Sequence, residues 1–178
     1  MRVMLGLAAV TGWALLAIAP AYCHVTLAVK DAPVGAEYKA VFRVPHGCKG
    51  SATVKLSVQI PDGVVAVKPQ PKPGWQIEIV KGPYDKPYQH DHSVLTEGVK
   101  SVTWSGGNLP DEYYDEFVLI GYLDKGLQPG SRLYFPTVQT CEQGLDSWTE
   151  IPRDGESSKD YRSPAPSLKL LPPTANAN

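Results

Sequence analysis

Hydrophobic and polar residues alternate in short runs along most of the chain, and turn residues separate these runs. Runs of this β type lie at residues 25–29, 37–44, 53–60, 64–67, 75–79, 99–104, 112–123 and 132–138. A period of two predicts strands with one buried face and one polar face. Turns spaced by roughly 8 to 12 residues predict an all-β chain, folded as a single β-sandwich of immunoglobulin or fibronectin type.

Three stretches depart from this alternation. Residues 82–97 are polar and carry two Pro and two His, so they are predicted as a long loop or an irregular hairpin. Pro136 interrupts the run at 132–138, which indicates an edge strand or a bulge. From Arg153 onward the pattern stops, and residues 153–178 are predicted to be a disordered tail. The sandwich domain is therefore expected to span residues 24–152.

Residues 1–23 have the three parts of a signal peptide, so we expect an exported protein in the periplasm or secreted. Arg2 gives the positive start, an apolar stretch follows, and small residues precede the cleavage site. Cleavage after Cys23 leaves His24 first, whereas cleavage after Ala21, which also fits, leaves Tyr22 first. Acylation of Cys23 as a lipoprotein fits less well, because bulky Tyr22 precedes it. No later apolar run reaches the roughly 18 to 20 residues that span a bilayer, so no membrane span is expected in the mature chain.

Charge and motifs exclude several classes of function. Charged residues make up 20% of the chain and the formal net charge is −1, which gives no basic surface for nucleic acid or an anionic membrane. The sequence has no Ser-His-Asp order, no glycine-rich phosphate loop and no HExxH motif, so nothing supports a hydrolase or a nucleotide-binding protein.

The cysteines predict one disulfide. If Cys23 leaves with the signal peptide, Cys48 and Cys141 remain, and an even number in an exported chain favours a bridge between them. The alternative is a metal site containing cysteine, which the absence of a CxxC spacing makes weaker.

His24 is the main candidate for chemistry. As a first residue it would offer a terminal amine and its Nδ1, and these two nitrogens can chelate one metal ion. Amine and imidazole nitrogens suit Cu(II), whereas Cu(I) prefers sulfur. Both methionines of the chain, Met1 and Met4, lie in the signal peptide, which argues against a methionine-based Cu(I) site.

Other residues have two interpretations each. Glu116 lies among apolar neighbours, where it could bind a metal or instead reach solvent or pair with an arginine such as Arg43. Trp148, in a polar segment, is most simply a core or rim aromatic. His46 is a loop histidine or a second ligand. His90 and His92 project to one side if they lie in a strand, but in a polar loop they are solvated.

The chain resembles the YcnI-like family of bacterial copper-binding proteins. The resemblance rests on dispersed motifs in order, from about 24 to 151: HVT, RVPHGC, IPDGV, PGW, VTWSGG, DEF and QTCEQG followed by a Trp. It implies a β-sandwich in which Cu(II) is held by the amine and imidazole of an N-terminal His, with a Glu ligand and a Trp close to the metal. In this sequence those roles fall on His24, Glu116 and Trp148.

The resemblance thus predicts an extracytoplasmic protein that binds Cu(II) without turnover, for copper storage, delivery or homeostasis. Many family members carry a C-terminal membrane anchor or a second chaperone domain, and we expect neither here. The expected partner is therefore separate, a periplasmic copper chaperone or a copper importer. The alternatives are a copper-dependent oxidative enzyme, which would add a second His to the brace, and an interaction sandwich without a metal.

Overall fold

The predicted alternation produces an all-β fold, seen here in a computed structural model that describes residues 24–174. The predicted signal peptide at 1–23 and the last four residues of the predicted tail lie outside the described residues. The strands of the described part are β1 (Thr26–Leu27), β2 (Asp31–Pro33), β3 (Glu37–Val44), β4 (Thr53–Gln59), β5 (Val64–Pro69), β6 (Gln76–His90), β7 (Ser93–Leu109), β8 (Asp115–Leu123), β9 (Arg132–Tyr134), β10 (Thr137–Cys141), β11 (Leu145–Trp148) and β12 (Ser167–Leu171).

Two larger sheets form the sandwich. One has the order β1-β3-β8-β5 and the other has the order β11-β10-β4-β7-β6. Their inward faces share one hydrophobic core, in which the Trp104 ring of β7 meets the Phe117 ring of β8 at a centroid distance of 5.6 Å. The core is built as the period of two predicts, because in β3 every second residue from Tyr38 to Val44 is buried.

The sheet edges matter for the site described below. β1 is the outermost strand of the four-stranded sheet, and β11 is the outermost strand of the five-stranded sheet. Neither sheet closes on itself at these strands. Chemical groups at the two edges can therefore meet without lying in the core.

The prediction that residues 153–178 form a disordered tail is wrong for part of this segment. Ser167–Leu171 form β12, which pairs in parallel with β2 and antiparallel with β9 in a third sheet. Leu168 and Leu170 are fully buried in the main core. The alternation of this strand is only five residues long and stands between prolines, which is why a search for longer hydrophobic runs missed it. The ordered domain thus extends beyond 152.

Two other departures are explained by the sheets. Residues 82–97 lie in the long hairpin of β6 and β7, so the hairpin interpretation is confirmed, with register shifts at Val80/Lys81 and Pro83/Tyr88. Pro136 separates β9 from β10, and these two strands belong to different sheets. A proline lacks the N–H that an unbroken ladder would need, so the chain changes sheets there.

No helix in residues 24–174 is long and apolar enough to cross a membrane.

Candidate metal centre

His24 lies two residues before β1, at the outer edge of the four-stranded sheet. Its ring contacts the indole of Trp148, with ring centroids 5.1 Å apart and planes at 61°. The Nε2 atom of His24 is buried, although the residue as a whole is partly exposed. The contact joins the edge of one sheet to the edge of the other, and it places two of the three predicted metal-site residues together.

Trp148 ends β11 and is held there by pairing and by a hydrogen bond. Its register partner is Thr137 of β10, and both residues are buried. The indole N–H donates to Oε1 of Gln139 at 3.2 Å. Trp148 is therefore part of the core, as the simpler interpretation held, and it also forms one wall around His24.

Gln139 is a residue that the sequence analysis missed. Its side chain is 1% exposed, and besides accepting from Trp148 it donates through Nε2 to the backbone oxygen of His46 at 2.7 Å and to Oγ1 of Thr53 at 2.8 Å. A buried amide is stable only when its polar atoms are paired, and here both ends are used. Gln139 takes an inward position of β10 together with Thr137 and Cys141, whereas the apolar Val138 lies on the other face, so the alternation gave no signal for it. His24, Trp148 and Gln139 are called the edge site below.

The disulfide between Cys48 and Cys141 is formed, which confirms the predicted pairing. It ties the loop after β3 to the end of β10. Oγ1 of Thr53, which accepts from Gln139, lies 3.7 Å from Sγ of Cys141. The bridge is therefore adjacent to the hydrogen bonds that hold Trp148.

Glu116 lies near the start of β8 and points away from the core. Its Oε1 accepts a hydrogen bond from Nε of Arg43 at 3.0 Å, and the two side chains are 39% and 54% exposed. The ion pair with Arg43 is the alternative that the sequence left open. Arg43 is in register with Thr26 on one side and with Glu116 on the other, so Glu116 shares a cross-strand row with the strand that follows His24. It lies on the same sheet as β1, not on the opposite one.

His46 is half-buried in the loop between β3 and the disulfide. Its Nδ1 makes a short contact with the backbone oxygen of Gly47. The peptide that joins His46 to Gly47 is held as well, because the Gly47 N–H donates to Oδ1 of Asp111 at 2.9 Å. The peptide that follows this loop histidine is therefore hydrogen-bonded at both its oxygen and its N–H.

His90 and His92 lie elsewhere, at the tip of the β6–β7 hairpin. The His90 ring contacts Tyr122 at a centroid distance of 4.8 Å, and Nε2 of His90 is 3.6 Å from the Asp91 carboxylate. His92 is exposed in the turn. The structure thus separates these two histidines from the edge site.

Tyr38 anchors the chain that leaves β1. Its hydroxyl donates to the backbone oxygen of Val29 at 2.6 Å. Burial, with a smaller contribution from the Asp31 charge, raises the pKa of the Tyr38 hydroxyl well above its usual range. The hydroxyl therefore keeps its proton and its hydrogen bond at neutral pH, which helps to position β1 at the sheet edge.

The side chains at the edge site could bind a copper ion only if a main-chain nitrogen, such as a terminal amine, served as a further ligand. Within residues 24–174 no three His, Cys, Asp or Glu side chains are grouped so that they could hold a metal ion. A metal at His24 would thus need a donor such as a terminal amine. Since Nε2 of His24 is buried, Nδ1 is the ring nitrogen suited to a chelate with that amine.

Comparison with known proteins agrees with this architecture. The crystal structure of an uncharacterized protein from Nocardia farcinica, which reveals an immunoglobulin-like fold, is 28% identical, and the match covers 83% of this chain and 98% of that chain with a TM-score of 0.59. No curated protein matches. The family described as a domain of unknown function, DUF1775, matches residues 24–170. The chain therefore belongs to the DUF1775 family, which contains the YcnI-like proteins.

Proposed function

We propose that this chain is an extracytoplasmic Cu(II)-binding protein that stores, delivers or buffers copper, with His24 as the first residue of the exported form. The contact between the rings of His24 and Trp148 is the observation that carries the proposal. It gives the candidate chelating residue a defined position at the sheet edge, with an indole against its ring.

The terminal amine and Nδ1 of His24 would supply two nitrogens, and Glu116 would supply a carboxylate oxygen. Bound there, Cu(II) would contribute only its own charge and coordination preference, and the proposed role is binding without turnover. The indole of Trp148 would limit the access of water to one side of the chelate. Protons compete for the amine and imidazole nitrogens, so acid would release the metal.

Glu116 would have to leave Arg43 to become a ligand. Exposed ion pairs contribute about 0–1 kcal/mol, and both partners here are more than one third exposed. Exchange of Arg43 for a divalent cation would thus cost little. The shared cross-strand row with Thr26 supports a reach of the carboxylate toward the start of β1.

The disulfide supports the proposed location. Disulfides persist in the periplasm and outside the cell, and they are rare where thiols are kept reduced. The Cys48–Cys141 bridge is therefore in keeping with an exported protein.

The test compares the form that begins at His24 with the same chain carrying one added alanine before His24. We expect one equivalent of Cu(II) to give a type-2 d–d absorption and to quench the emission of Trp148 in the first form. The added residue removes the free amine from His24, so affinity should fall by orders of magnitude. His24→Ala should behave like the extended form, and Trp148→Phe should bind Cu(II) with less quenching.

His90→Ala is the matched control, because it removes a histidine from the hairpin tip, and it should bind like the wild-type protein. Equal affinity in the extended and unextended forms would remove the amine from the site. Absence of oxygen consumption by the copper-loaded protein is expected for a binding role, and consumption that depends on an added substrate would instead support an oxidative enzyme.

A further inference from the structure

Arg43 lies between Glu116 and the strand that follows His24. In the register of the four-stranded sheet, Arg43 faces Thr26 of β1 on one side and Glu116 of β8 on the other. Residues that face each other in an antiparallel pair project to the same side of the sheet, and neighbouring strands are about 4.8 Å apart. A Glu116 carboxylate that reaches toward the start of β1 must therefore pass the guanidinium of Arg43.

The backbone of Glu116 is fixed independently of its side chain. Its N–H donates to Oδ1 of Asp115 at 2.7 Å, and its carbonyl oxygen accepts from Nζ of Lys72 at 3.1 Å. Lys72 also pairs with the Asp115 carboxylate at 2.7 Å, and the Lys72 side chain is only 17% exposed. The start of β8 is thus held in place, so Glu116 can change its carboxylate partner by rotation of its side chain alone.

The carboxylate of Glu116 has a partner that water can replace. Nε of Arg43 donates to Oε1 of Glu116 at 3.0 Å, and both side chains are more than one third exposed, so solvent screens the pair. A cation that takes the carboxylate must offset the loss of this interaction. When the cation leaves, the guanidinium on the neighbouring strand is in position to take the carboxylate back.

We propose that Arg43 competes with Cu(II) for the Glu116 carboxylate, and that this competition lowers the affinity for copper and speeds its release. The inference rests on the proposed function, in which Glu116 is a ligand of the copper ion at His24, and it specifies how that site gives up its metal. Arg43 is a positioning residue and does not bind the ion. A built-in competitor is suited to delivery of copper more than to its storage.

The test is a double-mutant cycle in the form that begins at His24, at 0.15 M salt, where charges more than about 8 Å apart are largely screened. Arg43→Gln removes the competing charge, so we expect the affinity for Cu(II) to rise about two- to fivefold, the equivalent of about 0.4–1 kcal/mol. The rate of copper transfer to an excess of chelator should fall by a similar factor. Glu116→Gln should weaken binding, and in its background the gain from Arg43→Gln should be largely lost.

Lys100→Gln is the matched control. Nζ of Lys100 pairs with Oδ1 of Asp62 at 2.8 Å, and these side chains are 36% and 55% exposed. The variant thus opens an exposed ion pair and removes one positive charge, as Arg43→Gln does, but Lys100 belongs to the five-stranded sheet. Its affinity and release rate should equal those of the wild type. Arg43→Lys keeps a cation opposite Glu116 and should also stay close to the wild type.

The outcomes separate this inference from the proposed function. Melting temperatures of the metal-free variants establish that each one is folded. Unchanged affinity and release in Arg43→Gln, or a gain of equal size with and without Glu116, would overturn the competition and leave Cu(II) binding at His24 in place. Failure of the wild-type form that begins at His24 to bind Cu(II) would overturn both. A gain that requires Glu116 and is absent from Arg43→Lys supports the competition.

Discussion

Two regions of this molecule carry candidate histidines, and they differ in what surrounds the rings. At the edge site, the His24 ring contacts an indole that is held by the fully buried Gln139, and the same amide holds the backbone of His46. At the tip of the β6–β7 hairpin, His90 contacts the ring of Tyr122 and His92 is exposed. The surroundings of His24 are held by the buried hydrogen bonds of Gln139, whereas the described contacts of the hairpin histidines lie at the surface.

The comparison shows that spacing in the sequence is a poor guide to which histidines the fold holds in place. His90 and His92 have the His-x-His spacing that brings two imidazoles to one side of a strand, yet they flank a turn, where Asp91 adopts a φ of 51°. His24 and Trp148 are far apart in the sequence, and their rings meet because β1 and β11 form the outer edges of the two sheets. A rigid position, which a metal site needs, comes from the second arrangement.

The largest effect is expected from removal of the disulfide. The bridge restrains the segments beside the edge site and makes no link to the tip of the β6–β7 hairpin. A bridge that spans 93 positions stabilises by about 4 kcal/mol in the chain-entropy treatment, because it restricts the unfolded chain. We expect the double variant Cys48→Ala, Cys141→Ala to lose free energy of unfolding of this order in urea. Hydrogen exchange should increase in the loop around His46 and remain unchanged in β6.

The strands could be predicted from the sequence because their signal is local. A period of two with one apolar face is visible in β3, where burial follows the alternation residue by residue, and in β4 from Leu56 onward. The disulfide followed from counting two cysteines. β12 was missed for the same reason, since five residues among prolines give too short a pattern. Local signals thus determine the fold class, and they fail where an element is brief.

The candidate site was harder to predict from the sequence, because its residues come together through the pairing of distant segments. The residue type alone could suggest Glu116 as a candidate metal ligand. Only the register of β3 with β8 shows that Arg43 lies opposite Glu116. The sequence did not mark Gln139, and its partners His46 and Thr53 lie 93 and 86 positions away. Such contacts depend on tertiary structure and produce no characteristic spacing in the sequence.

A somewhat smaller effect is expected when the buried amide is removed. Gln139→Met is close in volume but leaves the Trp148 N–H, the Thr53 hydroxyl and the His46 oxygen without their partner. Each buried unpaired group costs about 1–3 kcal/mol, so a total loss of about 3 kcal/mol in free energy of unfolding is expected after relaxation. The emission of Trp148 should shift, because its surroundings change.

Gln89→Met gives the matched control for this variant. Gln89 is exposed in β6, and surface changes of this kind stay within about 0.5 kcal/mol. If both substitutions had the same small effect, the contrast between a site fixed by buried hydrogen bonds and a hairpin fixed by surface contacts would be lost.

The smallest effect is expected in the hairpin, for the pair of Asp85 and Tyr88. The Tyr88 hydroxyl donates to Oδ1 of Asp85 at 2.7 Å, and this hydrogen bond, more than the nearby Lys86 charge, lowers the pKa of the Asp85 carboxyl. A carboxyl with a lowered pKa in the folded state stabilises the fold above its unfolded pKa, and this contribution is lost as pH falls through the folded pKa. Tyr88→Phe should therefore return the pKa of Asp85 toward its ordinary value, as measured by NMR titration of the carboxyl carbon.

The change in stability should be slight, because Asp85 is exposed and solvent screens the pair. It should be present in full at neutral pH, above the unfolded pKa of the carboxyl, and should disappear as pH falls through the folded pKa of Asp85. Because the hairpin shares no hydrogen bond with the edge site among the described contacts, Cu(II) affinity and Trp148 emission should not change. A shift of either in Tyr88→Phe would show that the two regions are coupled, and the separation drawn between them would then be wrong.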